Sequence, residues 1–116
     1  MYSVYAQVTA LICGISTDFI LNVYSNRVFI IITQNGKPGT LISVSLSEGS
    51  NSLVGQSISS RVLMGKRDDY IMVYAKKIGE MVCSRSSKTL LLALCIPDGS
   101  PEVFREVCQV SEQFGF

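Results

Sequence analysis

Histidine and tryptophan are both absent from the 116 residues. Without histidine the chain lacks the commonest acid–base group at neutral pH and the commonest metal ligand. No Ser/His or Cys/His nucleophilic arrangement can form. Without tryptophan it lacks one favoured stacking platform and interface anchor. Charge is also scarce: only 16% of residues are charged and the net charge is +1. Acids and bases are interspersed, so no long-range field is available to gather nucleic acid, anionic lipid or an acidic substrate. No apolar segment approaches the roughly 18 residues that span a membrane. Met1 to Ile15 carries no positive charge, and Gln7 and Thr9 interrupt its apolar run, so a secretory leader is not expected there.

Apolar residues make up 47% of the chain, enough for a packed core. The length suits one domain, 1–116. The four cysteines, Cys13, Cys83, Cys95 and Cys108, do not lie two to four residues apart, so zinc-ribbon and thioredoxin-like spacings are missing. They read as buried or incidental thiols.

Period-2 alternation predicts a strand over Tyr2 to Ile12, broken by Cys13-Gly14. Asp18 to Tyr24 is a second strand. Ser25-Asn26 is a turn signal, and Arg27 to Thr33 a third strand. Asn35-Gly36-Lys37-Pro38-Gly39 reads as a hairpin turn, with Thr40 to Leu46 returning as the fourth strand. Ser47 to Ser60 has six serines in fourteen residues and reads as a mobile loop within the domain. Arg61 to Met64 is a short fifth strand.

Asp68-Asp69 opens a helix, acids being suited to its first turn. Ile71, Tyr74, Ala75, Ile78, Met81 and Val82 form one apolar stripe along it. Lys88 to Ile96 is a sixth strand, apolar on both faces. Ser100-Pro101-Glu102 starts a second helix, with Phe104, Val107, Cys108, Ser111 and Phe114 facing inward. The order βββββαβα predicts an α+β fold, a six-stranded mainly antiparallel sheet with two helices.

The candidate chemical motifs resolve into ordinary structure. Gly36-Lys37 lacks the earlier glycine of a phosphate loop, where Ile31 stands, and Pro38 follows the lysine. Asp68-Asp69 suit a helix cap. Glu102 and Glu106 share a solvated helical face with Arg105 between them. Lys66, Arg67, Lys76, Lys77, Arg85 and Lys88 cluster around the first helix, as solvated ends or a weak basic patch. No metal or cofactor site is expected.

The informative feature is an imbalance. Val28, Ile30 and Ile32 face one side of the third strand and Phe29 and Ile31 the other. Leu90, Leu92, Leu94 and Ile96 likewise oppose Leu91, Ala93 and Cys95. Central strands of this kind need cover on both faces. Two helices, each about 10 Å wide, can cover one face of a six-stranded sheet but not two. The uncovered face, centred on Phe29, Ile31 and Leu91, is therefore expected to be an interface.

Several segments together resemble the proteasome assembly chaperone 3 family. They are Cys13-Gly14-Ile15, Thr33-Gln34-x-Gly36-Lys37-x-Gly39-Thr40-Leu41, Val62-Leu63-Met64-Gly65, Val73-Tyr74-Ala75-Lys76 and Leu90-Leu91-Leu92-Ala93. The likeness runs from about Val8 to Val110 and rests on shared order and spacing. The family implies a six-stranded antiparallel sheet with two helices. It also implies a cytoplasmic, and further a nuclear, chaperone that uses no ATP and no cofactor. Such a chaperone pairs with a related proteasome assembly chaperone 4-like protein, helps order the alpha-subunit ring of the core proteasome, and leaves as beta subunits arrive. In isolation a homodimer is expected. Lys37 on the Gln34–Thr40 segment is the candidate contact to the ring. The alternatives are a dimeric longin- or roadblock-like scaffold for small GTPase complexes, which the run of five strands disfavours, and a small Cys or Lys enzyme, which the missing histidine disfavours.

Overall fold

The computed structural model describes residues 4–34, 39–47, 57–66, 68–86, 88–97 and 99–114. The elements are β1 (Val4–Ile12), β2 (Ile15–Val23), β3 (Arg27–Thr33), β4 (Thr40–Ser47), β5 (Ser57–Met64), α1 (Asp69–Ser86), β6 (Thr89–Cys95) and α2 (Pro101–Phe114). This is the expected βββββαβα order. The strands form one sheet in the order β1-β2-β3-β6-β4-β5. Every neighbouring pair is antiparallel except β3 and β6, which run parallel.

Local chemistry accounts for the first turns. Cys13 and Gly14 both take positive φ, 49° and 83°, between the paired residues Ile12 and Ile15. Two positive-φ residues match the right-handed twist of a tight hairpin. At the next turn the Tyr24 N–H donates to the Arg27 carbonyl at 2.9 Å.

The Gln34–Thr40 segment is not a hairpin. β3 and β4 are not neighbours, because β6 lies between them. β6 reads Thr-Leu-Leu-Leu-Ala-Leu-Cys, with no polar side to turn to solvent. It therefore takes a central position, flanked by Val28, Ile30 and Ile32 on one side and by Ile42 and Val44 on the other. Of the segment between β3 and β4, residues 35–38, where the turn is expected, lie outside the described residues, but its described end Gln34 meets the end of β6. The Gln34 N–H donates to the Cys95 carbonyl at 3.0 Å.

The fifth strand is also longer than expected. Ser57 to Ser60, read as loop, pair with β4 from Ser47 to Val44. Ladder hydrogen bonds to an existing strand outweigh the low β-propensity of serine. Of the proposed mobile loop, 48–56 lies outside the described residues.

Both helices pack on one face. There Phe19, Val28, Ile30, Ile32, Ile42, Val44, Leu90, Leu92 and Leu94 form the core with Ile71, Tyr74, Ala75, Ile78 and Val82 of α1 and Val103 and Val107 of α2. The α1 stripe is the expected one, with Met81 at its margin. The rings of Tyr74 and Phe104 meet edge to face, with centroids 4.9 Å apart and planes at 74°. Ser100 caps α2, its Oγ accepting the Val103 N–H at 3.5 Å.

Candidate functional site

The face of the sheet away from the helices is built by the alternate residues of each strand. Across its centre run Asn22, Phe29, Leu91, Ser43 and Arg61, cross-strand neighbours in register. The next row is Gln7, Ile20, Ile31, Ala93 and Leu41, with Met64 opposite Leu41 on the edge strand. Ile20, Phe29, Ile31, Leu91 and Leu41 are half-buried, and none belongs to the core cluster. They cover one another and Ala93, which is 2% exposed, but among the described residues no helix covers them. Met64 is 67% exposed. Toward β4 and β5 the face becomes polar, with Ser43, Ser45, Ser59 and Arg61.

Phe29, Ile31 and Leu91 thus come together on one continuous surface, in adjacent strands. Lys37 lies outside the described residues. Sequence reading passed over Ile20, Leu41 and Met64, which widen the apolar centre. Alternation in β2 and β4 marked the faces of Ile20 and Leu41, whereas Met64 ends β5. Which strands stood beside β3 did not follow from it.

The remaining polar chemistry is dispersed. Among the described residues no group of three or more His, Cys, Asp or Glu is placed to hold a metal. Cys13 is exposed, and its Sγ hydrogen-bonds the Glu106 carboxylate. Cys95 is half-buried at the end of β6. Cys108 is buried, and burial pushes its thiol pKa up, with Lys77 pulling it down and Glu112 adding a smaller upward push. Lys66 and Asp68 form a surface ion pair at 3.8 Å, a contact that contributes little. Lys76 and Lys77 are exposed on α1, whereas Lys88 donates to the Tyr24 carbonyl at 2.9 Å. Among the described residues no helix is long and apolar enough to cross a membrane. The extended feature is the apolar sheet face, suited to binding a protein surface.

The family model described as proteasome assembly chaperone 3 matches residues 30–113, from within β3 to one residue short of the end of α2. The mouse protein named proteasome assembly chaperone 3 is 31% identical over 105 residues, covering 90% of this chain and 86% of that protein. The human protein of the same name is 30% identical over 110 residues, covering 91% and 90%. Among solved structures, a chain from a crystal structure of a chaperone complex for yeast 20S proteasome assembly superposes with a TM-score of 0.70. It is 13% identical and covers 97% of this chain and 98% of that one, which establishes a shared fold. The family match and the relatives, over nearly the whole chain, place the sequence: it belongs to the proteasome assembly chaperone 3 family, a family of chaperones and not of enzymes.

Proposed function

We propose that the chain is one half of a two-chain chaperone that promotes formation of the alpha-subunit ring of the core proteasome. It pairs through its open sheet face with a proteasome assembly chaperone 4-like protein and works without catalysis or cofactor in the cytoplasm. The observation that carries this reading is the one-sided cover of the sheet. Both helices pack against the face of Ile30 and Leu92, while Ile20, Phe29, Ile31, Leu91 and Leu41 form an apolar surface on the other. Apolar patches of this kind, rimmed by polar groups, mark protein interfaces. The relatives' shared name and the chaperone complex that supplies the structural neighbour support the same reading.

Co-expression with the chaperone 4-like chain of the same organism tests it. Leu91→Arg places a charge at the centre of the face without touching the helix-side core. The variant is expected to fold, with its circular dichroism unchanged, and to lose co-purification of the partner. Pairing at the level of the parent chain would overturn the reading. Contact with the ring is a separate part of the proposal and is assigned to Lys37. Lys37→Glu is expected to weaken binding to assembled alpha subunits while leaving the melting temperature nearly unchanged. Equal binding would remove Lys37 from the site.

A further inference from the structure

At the end of the sheet where β2 turns into β3, the open face deepens into a recess of about 460 Å³ lined by Tyr24, Ser25, Asn26, Arg27, Phe29 and Leu91. Its floor is apolar: Phe29 and Leu91 are direct neighbours in the β3–β6 pair. Its rim carries one cation. Arg27 is exposed and stands two residues from Phe29 on the same strand, so it projects from the same face. Lys88 braces the turn from outside the recess, its Nζ donating to the Tyr24 carbonyl at 2.9 Å. Among the described residues no carboxylate lines the recess, and Arg27 forms no ion pair among them. The turn is closed by the hydrogen bond from the Tyr24 N–H to the Arg27 carbonyl at 2.9 Å.

We propose that this recess receives the main anchor of the partner chain: a large apolar side chain set on Phe29 and Leu91, flanked in sequence by an Asp or Glu whose carboxylate is held by Arg27. The inference rests on the reading that the open face pairs with a partner chain, and it specifies the chemistry of that partner. Anchors that dominate interfaces are large side chains seated in desolvated pockets, and the volume here admits one such group. A basic flank is repelled by Arg27. A wholly apolar flank would bury the guanidinium without a counter-charge, which is costly. A carboxylate meets the guanidinium in the two-pronged geometry that arginine favours, and the apolar floor strengthens that contact by excluding water.

The test uses the full chain co-expressed with its chaperone 4-like partner. A photoreactive amino acid is placed at Asn26, on the turn beside the recess, or at Ile20, on the open face away from it. The Asn26 probe is expected to cross-link a partner peptide that carries a large apolar residue within two positions of an Asp or Glu. Arg27→Glu should weaken pairing by about tenfold or more, and exchange of the cross-linked acid for Lys should restore it. The anchor is overturned if the Ile20 probe cross-links the partner and the Asn26 probe does not. A mapped segment without an acid, or a charge exchange that fails to restore pairing, would overturn it as well. Failure of both probes to reach the partner would overturn the pairing reading, and the anchor with it.

Discussion

Gly39 is confined by a strand that sequence reading did not place beside it. Its φ is +66°, and a Cβ there would stand 2.1 Å from the Leu94 carbonyl oxygen and 2.8 Å from Cys95 Cβ. Against the end of β6 there is no room for a side chain at this point. Gly65 closes the same corner: at φ +98° a Cβ would lie 2.8 Å from Thr40 Cα. Nearby, the Thr40 hydroxyl donates to the Lys66 carbonyl at 3.0 Å. Gly39→Ala is expected to destabilise the fold by about 3 kcal/mol, combining left-handed strain with displacement of β6. Urea unfolding checks it, and a loss under about 1 kcal/mol would mean the corner can relax. The demand for glycine at position 39 was legible in the sequence, but the hairpin expected there was not what formed, because β6 lies between β3 and β4. A second residue-scale expectation follows from Cys108. Its pKa is raised above the usual thiol value of 9.0, chiefly by burial, so the folded state holds that proton more tightly than the unfolded chain. Stability from this thiol is full below the ordinary thiol pKa and is lost as pH rises through the higher folded value. Cys108→Val should therefore show a shallower fall in melting temperature above pH 9 than the parent chain. An identical alkaline slope would dismiss the effect.

Element identity was readable because each element carries its own period: the α1 stripe from Ile71 to Val82, the cap at Ser100, the alternation in β3. Neighbour order was not, since consecutive strands pair only about two-thirds of the time and the exception here depends on β6, which comes late in the chain. The apolar run Leu90–Leu94 signalled a central strand, yet nothing local said which two strands it would separate. The start of β5 was missed for a related reason. Ser57, Ser59 and Ser60 have weak strand preference, and their pairing is imposed by β4. Between helices, the edge-to-face contact of Tyr74 and Phe104 joins α1 to α2. Tyr74 is 1% exposed, so Tyr74→Ala is expected to cost about 3–5 kcal/mol, as large-to-small core changes do. A double-mutant cycle with Phe104→Ala should return a coupling of about 0.5–1.5 kcal/mol. Strict additivity of the two substitutions would show that the helices are held by the sheet alone.

For the whole molecule the governing fact is that two helices are shared among six strands. They fill the face of Phe19, Ile30, Leu92 and Ile42 and leave the other face to the cross-strand contacts of Ile20, Phe29, Ile31, Ala93, Leu91 and Leu41. The two-sided apolar character of β3 and β6 made this imbalance legible in the residues themselves. What the sequence withheld was the breadth of the open face, which depends on β4 lying beside β6 and so bringing Leu41 and Met64 to the same surface. A stable complex buries about 800 Å² from each side. The apolar centre then needs its polar surround of Asn22, Gln7, Ser43, Ser45 and Arg61 to complete a footprint of that size. Without the partner, two copies of this chain can still cover their apolar centres against one another. The isolated chain is therefore expected to sediment as a homodimer at micromolar concentration and to give way to the heterodimer when the chaperone 4-like chain is added. Ile31→Glu, at the centre of the face, should shift the isolated chain to monomer. It should also increase binding of a dye for exposed apolar surface relative to the parent dimer, because Phe29 and Leu91 lose their cover. A parent chain that sediments as a monomer and binds no such dye would mean that the face is covered from within the chain, and the self-association would have to be abandoned.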